Sequence, residues 1–237
     1  MSVIWLDSID STNSEALRRL PELSDGTVLA AREQTAGRGQ RGNTWFSAPG
    51  ENLTFTIVLK DLPLGASKAV RLNYMTSVAV ATYLESHGVE AAIKWPNDIY
   101  VNGKKICGML IENVLGTRGE VKASVVGIGI NVNQQAFPQL ANATSLSLCT
   151  GKTYEPEAEL GKFLSVFEGL QVNAPELFAS YSARLFRCGV SALYHDLLTD
   201  REYRGVIKGV EADGRLHIQE EGGGDHYYRF KEVSYIL

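Results

Sequence analysis

This 237-residue chain has only three cysteines, Cys107, Cys149 and Cys188, widely spaced and odd in number. That excludes a disulfide framework and any cysteine-based metal spacing, and it fits a reducing compartment. Histidine is also scarce. His87, His195, His217 and His226 are scattered, and none is near the motifs described below, so histidine catalysis is not expected. Basic excess is lacking too. The formal net charge is −4, which argues against a dedicated nucleic-acid binder. The stretch from Gly189 to Leu237 carries six Lys/Arg against nine Asp/Glu, so no DNA-binding tail is expected. No apolar run approaches the length of a membrane span. The opening Met1-Ser2-Val3-Ile4-Trp5-Leu6-Asp7 has no basic region followed by an apolar core, so no signal peptide is expected. The expectation is a soluble cytoplasmic protein with no membrane contact. There is no Walker A sequence, no dinucleotide fingerprint, no nucleophile elbow and no internal repeat.

What is present is a chain that is 44% hydrophobic, enough for one medium domain or for one domain plus a small satellite. Val3 to Ile9 patterns as a strand. Asp10-Ser11-Thr12-Asn13 is rich in N-cap residues and precedes a short helix from Ser14 to Leu20, closed by Pro21. Thr27 to Arg32 and Asn52 to Lys60 are β-rich. Ser67 to His87 reads as the longest helix, stopped at Gly88. Glu90 to Lys94 is a strand. Asp98 to Val101 and Lys104 to Glu112 form a hairpin about Asn102-Gly103. Val121 to Val132 reads as a buried strand, and Glu157 to Arg187 as two helical segments broken near Asn173-Ala174-Pro175. The remaining strands are Glu202 to Val210, Arg215 to Gln219, His226 to Lys231 and Ser234 to Ile236. They predict a small β-barrel or sandwich near the lower size limit for independent folding. The expected division is 1–187 for the main domain and 188–237 for the satellite.

Three segments carry chemistry. Gly37-Arg38-Gly39-Gln40-Arg41-Gly42, followed by Trp45, links two strands. Glycine lets backbone N–H groups approach an anion, and arginine offers a planar fork of donors. Such a loop cannot bury much apolar surface, so it suits a lid that orders over a charged ligand; a solvated turn has the same composition. The Asn102-Gly103 turn predicts that Val101 faces Lys104 and Tyr100 faces Lys105. Asp98, Tyr100, Lys105 and Cys107 then share one face, and Ile99, Val101, Ile106 and Leu110 take the core face. An Asp and a Lys so placed also suit a wet surface ion pair, worth roughly 0–1 kcal/mol. Lys94-Trp95-Pro96-Asn97-Asp98 adds an amide and a carboxylate at a strand entry, where phosphate and Mg²⁺ could be served. Gly127-Ile128-Gly129-Ile130-Asn131 places two glycines in a strand, as a tight sheet contact or a flat ligand against the backbone would require.

These segments, with Asp10-Ser11-Thr12-Asn13 and Gln34, resemble biotin–protein ligases in kind and in order, over nearly the whole chain. The resemblance implies an α+β fold: a mixed sheet flanked by helices, related to class II aminoacyl-tRNA synthetases, with a small C-terminal SH3-like β-barrel. It implies an enzyme that activates biotin with MgATP to biotinyl-AMP and passes biotin to a lysine of a biotin carrier domain in a carboxylase or decarboxylase. By motif, Ser11, Thr12, Asn13, Gln34, Gly37, Arg38, Gly39, Gln40, Lys105, Gly108, Gly127 and Gly129 fall at biotin-binding positions. Arg38, Arg41, Trp45, Asn97, Lys105 and Asn131 fall at ATP or adenylate positions. Arg38, Lys105 and Asp98 take catalytic roles, with the metal ligands left open.

Two departures stand out. The family's usual loop is Gly-Arg-Gly-Arg, whereas this chain has Gln40 in fourth place, which keeps hydrogen bonding but loses a charge. Some family members also carry an N-terminal DNA-binding helix-turn-helix; here the first motif starts at Asp10, so a ligase-only type without DNA binding is expected. A homodimer and a monomer both fit the family. A lipoate–protein ligase-like enzyme and a non-catalytic biotin sensor are the alternatives. The Gly-Arg-Gly loop and Lys94-Trp95-Pro96-Asn97-Asp98 favour biotin, and intact Arg38 and Lys105 favour catalysis.

Overall fold

The computed structural model describes residues 1–138, 140 and 142–236, the side chain of Arg41 excepted. Its centre is a seven-stranded mixed sheet. The strands are β1 (Ser2–Ile9), β2 (Thr27–Gln34), β3 (Leu53–Lys60), β4 (Ala92–Lys94), β5 (Asp98–Val101), β6 (Lys104–Leu115) and β7 (Val121–Ile130), in spatial order β1-β2-β3-β7-β6-β5-β4. β1 and β2 run parallel, joined by α1 (Thr12–Arg18); the other pairs are antiparallel. Parallel neighbours need a crossover, and α1 supplies it. Ser11 caps that helix by accepting the Ser14 N–H at 3.4 Å, and Glu15 lies in its first turn.

Alternation along the strands separates two faces. On β7, Val126, Ile128 and Ile130 enter the main core beneath α2 (Val70–Glu85) and α4 (Pro156–Glu168), together with Phe55, Ile57 and Met109. The opposite face carries Val125, Gly127 and Gly129. There Ala16 of α1 packs on Leu29, Val58 and Val125 in a smaller cluster. Beyond the reach of α1 this second face is floored by glycines and threonines, so it stays hollow. The site lies in that hollow.

The Asn102-Gly103 hairpin forms as expected, with both residues at positive φ. Val101 faces Lys104 and Tyr100 faces Lys105. Beyond them the register shifts by one residue, so that Ile99 faces Cys107 and Asp98 faces Gly108. This bulge corrects two expectations. Cys107 is fully buried with Ile99 in the core, not on the Asp98 face, and Leu110 turns to the hollow, not to the core. Pairing with β7 requires it: Gly108 opposes Gly129 and Leu110 opposes Gly127, so 108, 110 and 112 share the glycine face.

Helix α1 ends at Arg18, two residues before the expected limit, and α2 starts at Val70 after a 3₁₀ turn. The short helix α3 (Leu146–Thr150) had no sequence signal strong enough to predict it. Helix α5 (Leu177–Ser182) follows the break at Asn173-Ala174-Pro175. The C-terminal strands β8 (Ser191–Asp196), β9 (Arg201–Val210), β10 (Leu216–Glu220), β11 (Asp225–Tyr228) and β12 (Val233–Tyr235) form an antiparallel sheet ordered β11-β10-β9-β8-β12. Strand β8 was not anticipated. Among the described residues the ladder does not close between β11 and β12, so the expected barrel is realised as a five-stranded open sheet. Trp95 fastens it to the main sheet: its indole N–H donates to the Gly214 carbonyl at 3.0 Å, and its ring meets Phe230 at 6.4 Å. No helix among the described residues is long and apolar enough to cross a membrane.

Candidate active site

The hollow is open to solvent on one side and spans about 460 Å³. Its floor is made where glycine is obligatory. A Cβ on Gly127 would lie 2.1 Å from Asn13 Oδ1, and one on Gly129 would lie 2.4 Å from the Trp45 ring. One wall is the start of α1, where polar side chains interlock. Gln34 Oε1 accepts from the Thr12 N–H at 2.8 Å and from its hydroxyl at 3.1 Å. Thr56 Oγ1 donates to Asn13 Oδ1 at 2.6 Å and lies 2.8 Å from Thr12 Oγ1. The Asn13 amide donates to the Leu110 carbonyl and to Glu112, both at 3.0 Å. Each of these groups is oriented by at least one other, so the wall presents a fixed set of donors and acceptors.

The loop closes over this wall. The Trp45 N–H donates to the Gly37 carbonyl at 2.9 Å, and a Cβ on Gly37 would lie 2.3 Å from the Trp45 carbonyl oxygen. Arg38 pairs with Thr44 across a short bridge, and a 3₁₀ turn spans Gln40–Gly42. The Arg38 guanidinium forks onto the Glu112 carboxylate at 2.8 and 3.1 Å and reaches Ser14 Oγ at 3.4 Å. Trp45 lies across Gly108 and Gly129, while its indole N–H and Gln40 Oε1 are buried with no partner among the described residues. Unsatisfied buried polar atoms are uncommon and costly, and these two face a cavity.

On the far wall Lys105 Nζ lies 2.6 Å from Asp98 Oδ1 and 5.6 Å from the centre of the Trp45 ring. The hairpin bulge makes this possible by putting Lys105 beside Gly108, whose added Cβ would lie 3.3 Å from Nζ. Asn97 holds the strand entry: its amide donates to the Met109 carbonyl at 2.5 Å, and the Met109 N–H returns to the Asn97 carbonyl at 3.1 Å. Burial pushes the ammonium of nearby Lys94 below its ordinary range, with Lys105 and Arg187 reinforcing and Asp98 opposing. Burial likewise pushes the Cys107 thiol far up, which makes it an inert core group.

Two openings adjoin the pocket. A cleft of about 850 Å³ runs between Trp45, Phe46, Lys105, Asn131, Phe137 and Leu140. A groove of about 1120 Å³ runs from the Asp98–Lys105 pair to the C-terminal sheet.

Of the residues singled out from the sequence, Ser11, Thr12, Asn13, Gln34, Arg38, Gly39, Gln40, Trp45, Asn97, Asp98, Lys105, Gly108, Gly127 and Gly129 line the one pocket. Gly37 sits behind it as the base of the loop. Asn131 faces the adjoining cleft, and its amide N–H is given to the Thr144 carbonyl at 2.9 Å. The side chain of Arg41 lies outside the described residues. Sequence reasoning missed Glu112 and Thr56, which hold Arg38 and Asn13 in place. The alternation from Gly108 through Leu110 was the available signal for Glu112. Among the described residues no group of three His, Cys, Asp or Glu is arranged to hold a metal.

The family described as Biotin/lipoate A/B protein ligase family matches residues 5–131. The biotin–[acetyl-CoA-carboxylase] ligase of Paracoccus denitrificans is 32% identical over 234 residues, spanning 90% of this chain and 92% of that protein. The bifunctional ligase/repressor BirA of Bacillus spizizenii is 37% identical over 173 residues, which is 70% of this chain but only about half (52%) of that relative. Among solved structures, the biotin protein ligase from Aquifex aeolicus in complex with biotin and ATP superposes with a TM-score of 0.77 at 28% identity, covering 98% of this chain and 97% of that one.

Proposed function

Because this chain belongs to the biotin/lipoate A/B protein ligase family, we propose that it is an ATP-dependent biotin–protein ligase, activating biotin as biotinyl-AMP and transferring it to a carrier lysine. The observation that carries this reading is one pocket that joins a glycine floor, a fixed polar wall at Thr12, Asn13 and Gln34, and two cations, Arg38 and Lys105. A flat bicyclic ring suits this floor, where glycine lets the Trp45 ring and the Asn13 amide pack directly on the strands and turn their own surfaces to the ligand. A ureido group needs paired donors and acceptors, which the interlocked wall offers. A carboxylate and a polyphosphate are both anions, and bringing them together requires positive charge at the meeting point. Lys105 and Arg38 offset the repulsion and the charge that develops as the carboxylate oxygen attacks the α-phosphorus. The new C–O–P link forms as the bond to pyrophosphate breaks. Mg²⁺ arrives with the phosphates of ATP as part of the substrate, and Asp98 with Asn97 offers hard oxygens on that wall. The Trp45 cleft offers a planar base aromatic side chains on which to stack. Asp98 holds Lys105 in the pocket; Glu112 holds Arg38 when no anion is present and yields it when one arrives.

In this reading residues 1–187 are the catalytic unit and 188–237 a small β unit that walls the groove. The enzyme works in the cytoplasm, on carrier domains and not on DNA, a preference its net charge of −4 supports. The test is mass spectrometry of a purified biotin carrier domain incubated with the protein, biotin and MgATP. The expected result is one added biotinyl group on the carrier. An unmodified carrier, with no biotin-dependent pyrophosphate, would overturn the reading.

A further inference from the structure

The groove between the two sheets has an unusual charge balance for an acidic protein. Lys94 on β4, Lys105 on β6 and Lys231 in the turn between β11 and β12 line it, against one carboxylate among the described residues, Asp98 on β5. That carboxylate is already engaged by Lys105 at 2.6 Å. Among the described residues Lys94 has no carboxylate within ion-pair distance; its Nζ lies 5.0 Å from the Tyr100 ring and 4.9 Å from the Tyr235 ring, which bridges the two sheets. The same groove ends at the Asp98–Lys105 pair, beside the pocket where the activated acyl group would form.

The second half-reaction has its own difficulty. An acceptor lysine is an ammonium at neutral pH, and an ammonium has no lone pair with which to attack. Two things make the neutral amine easier to form: removal from water and neighbouring like charge. The groove supplies both, from every element that faces it. Lys94, Lys105, Lys231 and more distantly Arg187 are cationic, Asp98 opposes them, and Tyr100, Tyr235 and Trp95 exclude water. Lys94 reports on that environment: burial disfavours its charged form, Asp98 opposes, and Lys105 and Arg187 reinforce the burial.

We propose that this groove admits the acceptor lysine of the carrier and that Lys94 and Lys231 act on it as like charges, favouring the neutral amine that attacks biotinyl-AMP. This rests on the ligase reading above. The acceptor ammonium releases a proton to solvent, and its lone pair forms the C–N bond to the biotinyl carbonyl carbon. The C–O bond to the adenylate phosphate breaks, AMP leaves with that electron pair, and the nitrogen loses its second proton to solvent. Lys94 and Lys231 are positioning residues here, acting through charge and not through contact with the reacting atoms.

The test supplies biotinyl-AMP bound to the full-length protein, bypassing activation, and follows single-turnover transfer against pH with two acceptors. One is a blocked lysine, charged at neutral pH; the other is hydroxylamine, already neutral there. Lys94→Met and Lys231→Met should each move the rising limb for the lysine acceptor to higher pH and slow its transfer at pH 7 by about three- to tenfold, a shift of about half to one pH unit. Hydroxylamine should keep its rate, and Lys94→Arg should restore the profile. Lys231 lies in a turn, so its variant preserves the test if Lys94→Met does not fold. An unmoved profile for the lysine acceptor, or an equal loss with hydroxylamine, overturns the inference. Failure to make biotinyl-AMP from biotin and MgATP in the unmodified protein would instead sink the ligase reading, so the two failures are separable.

Discussion

Replacing Lys105 by alanine separates catalysis from folding, because the structure assigns the two effects different sizes. The side chain keeps 21% exposure and its partner Asp98 keeps 23%. A pair so placed contributes up to about 1 kcal/mol. Its contact with the Trp45 ring adds about 0.5–1 kcal/mol. Lys105→Ala should therefore cost about 1–2 kcal/mol of stability. At roughly 2–4 °C per kcal/mol for a chain of this size, the melting temperature should fall by only a few degrees. If Lys105 instead meets the reacting carboxylate and phosphate, losing one preorganised donor should slow activation by about 10²–10³-fold. Biotin-dependent pyrophosphate release, measured well below the melting temperature, reads the rate, and calorimetry reads the stability. Near-normal activation in Lys105→Ala would refute the assignment. So would a loss of activity that tracks unfolding.

Gly127→Ala should be destabilised by about 1–3 kcal/mol and bind biotin weakly, because the new methyl displaces Asn13 from Thr56, Leu110 and Glu112; chemical denaturation and titration calorimetry check both, and wild-type values in either would count against the floor as described. Arg38→Ala should release biotinyl-AMP faster and Gln40→Arg should hold it longer, the latter by restoring a charge at a loop position that now buries an unpartnered oxygen; adenylate dissociation rates decide, and unchanged retention in Gln40→Arg would refute that account of the departure. Asp10 is held down to about 2 from an ordinary 3.8, chiefly by the Arg18 guanidinium and then by the Ser11 N–H. A depressed carboxylate stabilises the fold above its unfolded value, so this contribution should be whole above pH 4 and fade as the pH falls towards 2. Stability against pH for Asp10→Asn should lack that component; a curve parallel to wild type through the window would show that the pair is not formed in solution.

Much of this architecture was legible because local chemistry and tertiary packing agree. Asn102-Gly103 requires two positive-φ residues in a tight turn, and that turn forms. The β-branched runs at Thr27, Asn52 and Val121 became the central strands β2, β3 and β7. The hidden features are those set by a partner strand. The bulge near Ile106 follows from matching Gly108 to Gly129 and Leu110 to Gly127 across β6 and β7, which no local pattern in the hairpin reveals. Without it Cys107 seemed to belong with Asp98, and Leu110 with the core. Strand β8, Ser191–Asp196, mixes polar and apolar residues and gains its identity from pairing with β9 and β12. Helix α3 has five residues, too few for a periodic signal. The site residues were visible as motifs, whereas Glu112 was not, because a lone acidic residue in a strand acquires meaning only from Arg38 and Asn13 across space.

Substrate-dependent activation decides which acid this pocket was built to take. The protein is mixed with MgATP and, in separate reactions, biotin, lipoate or octanoate, and pyrophosphate release is followed while acyl-AMP is identified by mass spectrometry. Pyrophosphate release should depend on biotin, with biotinyl-AMP as the product and little turnover of the other two acids. Turnover of lipoate or octanoate with none of biotin would contradict it.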